Sequence, residues 1–392
     1  MLKLAVLSIS FLLLGFHAIG GILPEIRDSL GITQTQSEIL VTAPSIAILI
    51  FVILSNFLIE KIGMKKTVVA GFLLSGIGGV MPVFGPQYYG YVLASRFIFG
   101  AGLGLVYTSS VTYINLLFDE KERATLVGFR SAVEMVGQTF LTLGIGFLAA
   151  FGWHLSFIVH GVSFLVALLV MVKVPEVKLE EKSSAVAGSA EQFNLIVVPI
   201  ALFLGLVAMA GSMVVVRFPA MAAEIRGDGF NSSFIVAMKP VLGIIAAMSF
   251  GKLVKLLGKK LLYLGLMSLI GSNLLLGFAN GNFGVLIAGF LLSSFVLGWV
   301  VPIVVDYVSR ITSGKNQRLA MTLILICVNI GLFIMPFVVQ GIENLVNRYD
   351  LAAPYPLMAA VVTLVLGIVM VASQNKSLIK TKTSNVQEAS HE

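Results

Sequence analysis

Ionisable side chains occur inside long apolar stretches of this sequence, where charge is expensive. Arg96, Arg130, Glu134, Arg217 and Lys239 each have aliphatic or aromatic residues nearby on both sides. A charged side chain at the centre of a bilayer costs roughly 2.5–3.5 kcal/mol on insertion scales, so such residues usually have a function. A carboxylate that is protonated in one state and paired with a cation in another can couple proton movement to a conformational change. Glu134 is the candidate for that chemistry.

Glu134 has two cations close enough in sequence to pair with it. Arg130 lies four residues earlier, on the same face of a helix. Arg96 lies near mid-depth of the preceding apolar stretch, which a short loop joins to the stretch that holds Glu134. Burial favours the neutral form of a carboxyl group, and a nearby cation favours the ionised form. Two hypotheses therefore stay open: a proton-coupling carboxylate, or a permanent ion pair that fixes helix packing.

Other polar residues in the apolar stretches are weaker candidates for a functional role. His17 could relay protons because histidine titrates near neutral pH, although a neutral packing role is favoured. Gln138 lies one helical turn beyond the glutamate and is a candidate for lining a cavity. Asp306 is expected to extend towards a cation at the membrane surface, such as Arg310. Arg217 is expected to be an anchor at the outer interface.

The composition indicates which elements must hold these residues. The chain has 392 residues, of which 58% are hydrophobic and 11% are charged, whereas soluble domains have about 25% charged residues. This excludes a soluble enzyme and a nucleic-acid-binding protein, and indicates an all-α polytopic membrane protein. Apolar stretches of about 17–25 residues predict twelve spans. They cover approximately 3–26, 37–59, 67–85, 88–115, 124–150, 154–173, 195–217, 231–251, 261–279, 283–308, 319–340 and 354–373.

Cofactor chemistry has no support in the sequence. The single cysteine, Cys327, excludes an intramolecular disulfide, and the histidines form no cluster with metal-ligand spacing. The glycine-rich run at 100–104 lies inside a span and follows no strand, so close helix packing explains it better than a nucleotide loop. We expect no cofactor and no metal.

The distribution of basic residues predicts the orientation. With the N-terminus inside, nineteen of the 26 Lys and Arg residues fall in inward loops and tails. Three fall in outward loops, namely Arg27, Arg226 and Arg348. Because cytoplasmic loops of membrane proteins are enriched in Lys and Arg, both termini are expected to be cytoplasmic.

A long polar loop divides the chain into two six-span halves. The N-terminal half covers 1–173 and the C-terminal half covers 195–373. The loop at 174–194 contains a run of Ser, Ala and Gly and is predicted to be a flexible cytoplasmic linker. The polar tail at 374–392 is predicted to be disordered.

A sequence repeat relates the two halves. Four pairs of identical residues are separated by 195 positions each. They lie in the loops that follow spans two and eight and at the starts of spans five and eleven. The matching pairs are Leu58 and Leu253, Gly63 and Gly258, Lys65 and Lys260, and Arg123 and Arg318. Matches at one offset, near half the chain length, predict two parallel structural repeats. Asn329 lies at the position equivalent to Glu134 and is a further candidate for lining a cavity.

The loop after the second span carries a resemblance to a known family. Its sequence is Leu58-x-Glu60-Lys61-x-Gly63-x-Lys65-Lys66. It is similar to the loop motif of the major facilitator superfamily, Gly-x-Leu-Ala-Asp-Arg-x-Gly-Arg-Lys, although Asn56 replaces the leading Gly and Glu60 replaces the Asp. The fourth span adds Arg96-x-x-x-Gly100-x-Gly102, which resembles a second family motif. The resemblance implies twelve transmembrane helices in two six-helix repeats. It also implies a tight turn at Gly63 and a charge contact of Glu60 between the halves.

The same resemblance implies a function. The group that the chain resembles comprises drug and sugar efflux permeases, which implies proton-coupled efflux of a small organic molecule by alternating access. Drug–proton antiporters usually carry a Gly-Pro pair late in span five, but the segment 137–146 contains no proline. Uptake of a small organic anion and lipid flipping stay as alternatives, and a membrane enzyme is disfavoured. In the resembled fold, spans five and eight pack near each other, which makes Lys239 a third candidate partner for Glu134.

The expected partners follow from these features. They are a small-molecule substrate, protons and the lipid bilayer of the cell membrane, and the protein is expected to be a monomer. The in-span cations outnumber Glu134 and Asp306, so a cavity that they faced would be net positive when both acids are ionised. That balance mildly favours anionic or zwitterionic substrates over cationic drugs.

The orientation and the repeat can be tested together by labelling single cysteines. Cysteines placed at positions 63 and 258, in a chain without Cys327, should react with a membrane-impermeant thiol reagent only from the cytoplasmic side. Reaction of the two positions from opposite sides would contradict the repeat.

Overall fold

The computed structural model describes residues 1–177, 194–227 and 229–388. The predicted linker at 174–194 lies almost wholly outside these residues. The last helix continues to Glu388, and residues 389–392 also lie outside the described part of the chain. The disorder of the tail therefore stays a prediction.

The described residues form an all-helical fold. In chain order the α-helices are α1 (Leu2–Ser8), α2 (Leu23–Leu30), α3 (Gln34–Ile62), α4 (Met64–Val80), α5 (Tyr89–Val106), α6 (Ser109–Leu117), α7 (Glu120–Ala149), α8 (Val162–Lys173), α9 (Val197–Arg226), α10 (Ser233–Leu257), α11 (Lys260–Gly277), α12 (Phe283–Leu292), α13 (Ser294–Ile311), α14 (Gly314–Val346) and α15 (Pro354–Glu388). Segments of 3₁₀-helix cover Gly15–Ile22, Met81–Val83 and Leu155–Gly161. No β-strand occurs in the described residues, so the all-α prediction is confirmed.

Eleven helical segments of the described residues are long and apolar enough to cross a membrane. They correspond to predicted spans two to twelve. The first predicted span, 3–26, is instead broken into α1, an irregular stretch, the 3₁₀ segment Gly15–Ile22 and α2. This segment packs against α3, α7, α9 and α10, and therefore touches both halves. Its glycines allow a very close approach: a Cβ at Gly21 would overlap Ser233 at the start of α10.

In two other predicted spans the helix is interrupted, and a serine at each interruption contacts a cation. Span four divides into α5 and α6 at Tyr107–Thr108, and span ten divides into α12 and α13 at Ser293. The backbone groups released at such breaks lie inside the protein, where neighbouring side chains can satisfy them. The hydroxyls of Ser110 and Ser293, at these two breaks, accept hydrogen bonds from the half-buried cations Arg130 and Lys239.

The glycine-rich run of α5 is a packing surface, as the sequence predicts. Gly100 and Gly104 lie against the backbone of α3, and Gly102 lies against the backbone of α4 at Gly71 and Ser75. Small residues let helix backbones approach closely, and the loss of side-chain surface is compensated by van der Waals contact. The close packing of α5 on both neighbours fixes the position of Arg96, which lies one turn before Gly100.

The packing role of Gly102 can be tested against another glycine of the same helix. Gly102→Ala should destabilise the protein by about 1–3 kcal/mol, because the new Cβ would overlap backbone atoms that cannot move easily. Gly90→Ala is the matched control: nothing lies within 4 Å of its Cβ position, so the higher helix propensity should stabilise by about 0.5–1 kcal/mol or have no effect. Thermal unfolding in detergent measures both. Equal midpoints for the two variants would contradict the packing role.

Candidate functional site

The structure pairs Glu134 with Arg130, one turn earlier on α7. Arg130 Nη2 lies 2.7 Å from Glu134 Oε1, and the side chains are 17% and 15% exposed. The two groups are in ionic contact, but their angle does not suit a hydrogen bond. Glu134 Oε1 is therefore buried and accepts no hydrogen bond from the described residues. Arg130 Nε donates instead to Ser110 Oγ at 2.8 Å, just after the break between α5 and α6. The carboxylate is therefore held by its charge contact with Arg130.

Arg96 is not the partner of Glu134. Its side chain is fully buried, and it donates from Nε to Leu40 O at 3.0 Å and from Nη2 to Phe16 O at 2.7 Å. The guanidinium also lies over the ring of Phe99, 5.0 Å from its centroid. Arg96 faces α3 and the first span, away from α7, because the glycines of α5 pack that helix tightly on its neighbours. It joins three spans within the N-terminal half.

Lys239 does not pair with Glu134 either. Its Nζ donates to Ser293 Oγ at 2.7 Å and lies 5.4 Å from the centroid of the Phe290 ring. These contacts place the ammonium between α10 and the break that separates α12 from α13. His17, on the 3₁₀ segment of the first span, is near enough to Lys239 and Arg96 to feel both charges. The two segments that carry His17 and Lys239 pack against each other at the boundary between the halves.

The two predicted cavity amides differ in their surroundings. Gln138 is partly exposed on α7, one turn beyond Glu134. Asn329 is 3% exposed, and its Nδ2 donates to Leu325 O of the same helix at 2.9 Å. Asn329 thus has the geometry of a packing residue, whereas Gln138 lies beside the ion pair with its side chain accessible.

The most deeply buried ion pairs of the described residues were missed from the sequence. Arg217 was expected to be an interface anchor, but it is 2% exposed. Its Nε contacts Glu38 Oε1 at 2.8 Å and its Nη2 contacts Glu343 Oε1 at 2.5 Å. Nη1 donates to Leu351 O at 3.2 Å, and Gln34 donates to Glu38 Oε1 at 3.0 Å. We refer to Glu38, Arg217 and Glu343 as the outer cluster.

The outer cluster escaped prediction because its residues lie at the ends of apolar stretches. Glu38 is the second residue of the predicted span 37–59, Arg217 is the last of 195–217, and Glu343 follows 319–340. Charges at such positions are usually taken to reach the membrane surface. One signal in the sequence could have predicted the cluster. Two acids and an arginine lie at the same predicted membrane depth, and the outward loops hold few other charges that could pair with them.

The outer cluster joins the two halves of the protein. Glu38 belongs to α3 of the N-terminal half, whereas Arg217 and Glu343 belong to α9 and α14 of the C-terminal half. Two further hydrogen bonds join the halves at the same end. Ser232 Oγ donates to Gly21 O at 3.1 Å, and Asn231 Nδ2 donates to Gly146 O at 2.7 Å. The halves are therefore closed on each other at the end that the charge distribution predicts to be extracellular.

The loop motif after α3 makes a different contact from the one expected. Gly63 has φ 90° and Gly258 has φ 53°, so both repeat-related turns use backbone conformations that favour glycine. Glu60 is exposed, and no ion pair includes it in the described residues. Glu176 accepts a hydrogen bond instead, from Lys65 N at 3.2 Å, and its carboxylate fills the space beside Gly63. An acid at the start of the predicted linker therefore caps α4.

The cations of the motif loops lie at the surface. Lys61 is exposed with its Nζ 4.4 Å from the Phe57 ring centroid, and Lys260 is exposed at the start of α11. Asp306 pairs with Arg310 at 2.9 Å, with both side chains largely exposed, so that prediction is confirmed. In the described residues, no group of three or more His, Cys, Asp or Glu could hold a metal ion.

Comparisons with known proteins agree on one family. A family model described as Major Facilitator Superfamily matches residues 5–336. The chain is 23% identical over 401 residues to the quinolone resistance protein NorA of Staphylococcus aureus (strain MSSA476), with 97% of each chain covered. It is 27% identical over 143 residues to the bacillibactin exporter of Bacillus subtilis (strain 168), a match that spans only 35% of either protein. The xylose transporter XylE from E. coli, in an inward open conformation, has a TM-score of 0.75 with 16% identity, covering 94% of both chains.

The outer cluster makes a strong stability prediction. Arg217→Gln should cost about 3–5 kcal/mol, because it leaves two carboxylates buried without their cation. Arg348→Gln is the matched control, since Arg348 pairs with Asp350 at 3.0 Å and both side chains are largely exposed; it should cost about 0–1 kcal/mol. Thermal unfolding of the purified protein compares them. Adding Glu38→Gln and Glu343→Gln to Arg217→Gln should recover part of the loss, and equal effects of the two arginine variants would exclude the buried pairing.

Proposed function

The chain belongs to the Major Facilitator Superfamily, and we propose that this multi-pass membrane transporter exports a small organic molecule in exchange for protons. The observation that carries the proposal is the Arg130–Glu134 pair. Glu134 is a partly exposed carboxylate inside a span, and its Oε1 accepts no hydrogen bond from the described residues. Protonation of such a carboxylate weakens its charge contact with Arg130, so proton uptake is linked to the state of that pair. The pair lies on α7, which packs against α10 of the other half.

The coupling step follows from the charges of this pair. With Glu134 ionised, Arg130 is neutralised and the pair is nearly without net charge. Protonation of Glu134 leaves Arg130 as a bare cation that keeps only its hydrogen bond to Ser110. Because an unpaired charge in a low-dielectric site is unfavourable, the protonated site favours a conformation in which Arg130 gains water or another acceptor. Proton binding thus biases the transporter between its two states.

The closed outer end supports an assignment to one of those states. The outer cluster and the Gly21–Ser232 hydrogen bond hold the halves together at one end, as expected for the inward-facing state of an alternating-access cycle. The similar structure of XylE is itself described as inward open. In this state Glu134 would exchange protons with the cytoplasm.

The direction of transport is supported by relatives whose names describe export. NorA is named for quinolone resistance, and its match covers nearly the whole chain. The bacillibactin exporter matches about a third of its own length. The solved structures named for xylose and nucleoside transport share the fold alone at 16% and 12% identity, so they carry no weight for the substrate.

A second candidate function, uptake of a small organic anion, is favoured by one observation. Lys239 is an in-span cation with no ion pair to an acid in the described residues. Such a cation attracts an organic anion, whether the anion is taken up or exported. Proton movement separates the two candidates, because export in exchange for protons moves substrate and protons in opposite directions, whereas uptake with protons moves them in the same direction.

Neutralising Glu134 tests the coupling. In inverted vesicles that hold a proton gradient, a panel of anionic, zwitterionic and cationic compounds should include some that dissipate the gradient, as followed by a pH-sensitive dye. Glu134→Gln should abolish this response, because the amide cannot take up and release a proton. The variant should still exchange labelled compound for unlabelled compound, a reaction that needs no net proton movement.

The control is another i, i+4 pair of the same chain. Asp306→Asn removes the acid of the exposed Asp306–Arg310 pair and should leave the gradient response near that of the unaltered protein. A response of Glu134→Gln equal to that of Asp306→Asn would mean that the Arg130–Glu134 pair is structural. No response of the unaltered, folded protein to any compound would overturn proton-coupled export.

A further inference from the structure

Lys239 differs from the other cations inside the spans in what surrounds it. Arg130 contacts Glu134, and Arg217 contacts two carboxylates. Arg96 has no acid but is fully buried, and backbone carbonyls of two other spans accept its hydrogen bonds. The ammonium of Lys239 has one hydrogen-bond acceptor, Ser293 Oγ, and no carboxylate within 4.0 Å in the described residues. Since an ammonium carries three N–H donors, it has capacity for further acceptors.

The contacts of Lys239 hold its ammonium in one place. Ser293 Oγ donates to Phe290 O at 2.6 Å, so the hydroxyl is oriented with its lone pairs available to the lysine. The Phe290 ring lies on another side of the ammonium, with its centroid 5.4 Å away. The lysine side chain is nevertheless partly exposed and not sealed in the core. A positioned cation beside an aromatic ring is an arrangement that can bind an organic anion.

The helix that carries Lys239 lies at the boundary between the halves. Lys239 belongs to α10, which packs against the 3₁₀ segment of the first span and against α7. His17 of that segment interacts electrostatically with Lys239, and a neutral imidazole can donate a hydrogen bond to an anion held by the lysine. Substrates of transporters built from two repeats bind near mid-membrane at the interface of the repeats.

We infer that Lys239, with Ser293 and His17 beside it, binds the carboxylate of a small organic monoanion. The inference rests on the proposed transport function and names the class of its substrate. One carboxylate compensates the single charge of the ammonium and accepts two of its free N–H donors. A cationic compound would meet the uncompensated charge of Lys239 and is disfavoured. The Phe290 ring is the apolar neighbour of the ammonium, so we expect an aromatic or aliphatic acid to bind better than a sugar acid.

Direct binding tests the inference without any need for proton coupling. The intact protein in lipid nanodiscs is titrated calorimetrically with matched sets: benzoate, benzamide and benzylamine, phenylacetate with its amide and amine, and hexanoate with its amide and amine. At least one carboxylate should bind, and it should bind more tightly than its own amide and amine. Preference for an amide or an amine, or no binding of any carboxylate to folded protein, would overturn the inference.

Variants then locate the carboxylate. Lys239→Gln should weaken binding of the preferred carboxylate about tenfold or more, because it removes a charge-assisted hydrogen bond in a low-dielectric site. Binding of the matching amide should change little. Lys239→Arg keeps the charge and should retain most of the preference for the carboxylate. If Lys239→Gln fails to fold, Ser293→Ala is the second test: it removes the anchor of the ammonium and should lower carboxylate affinity by several-fold.

The matched control is a lysine on the same helix. Lys255 is exposed at the far end of α10, sixteen residues and about 24 Å along the helix from Lys239. Lys255→Gln removes the same charge and should leave carboxylate binding unchanged. An equal loss in both variants would mean that the charge acts at long range and that Lys239 does not contact the ligand.

The failure of this inference can be told from the failure of the proposed function. Amines that bind and dissipate the proton gradient through Glu134 would keep proton-coupled export and overturn the anion site. Carboxylates that bind through Lys239 but never alter the gradient would keep the anion site and overturn the proton coupling.

Discussion

The contact of Arg217 with Glu38 and Glu343 is the interaction on which the closed end of this transporter depends. Two acids and one base are removed from water at this point, and an unpaired charge there would be strongly destabilising. The pairing is also asymmetric. Arg217 and Glu343 lie in the same half, so they can stay paired when the halves separate, whereas Glu38 alone crosses the boundary. In the proposed transport cycle, opening of the outer end would therefore expose one carboxylate to water and leave the arginine neutralised by Glu343.

The fold class and much of the helical framework could be predicted from the sequence, because hydropathy and the 195-residue repeat act over whole spans. The partners of single charges could not. Arg96 and Glu134 lie at similar depth in consecutive spans, but the side on which Arg96 lies is decided by the glycines that press α5 onto α3 and α4. The helical spacing of Arg130 and Glu134 was informative because it needs no knowledge of tertiary packing.

The outer cluster and the broken first span show a second limit of sequence reasoning. A charge at the end of an apolar stretch is ambiguous between the membrane surface and a buried contact with another helix, and only the neighbouring helices decide. The first span likewise has ample hydrophobic residues for an α-helix, but Gly15, Gly20 and Gly21 allow it to adopt a 3₁₀ segment pressed against four helices. Tertiary contact here overrides the length criterion that identified the other spans.

The closed outer end and the lysine site lie on the same two segments, which connects them mechanically. Ser232, at the start of α10, bonds to Gly21 of the first span. His17 lies about one turn deeper on that segment, and Lys239 lies about two turns deeper on α10. If α10 and the first span part at the Gly21–Ser232 contact, His17 and Lys239 must part as well. On the proposed site, a carboxylate held between these two segments would add to the contacts that close the outer end, and its release would be favoured when that end opens.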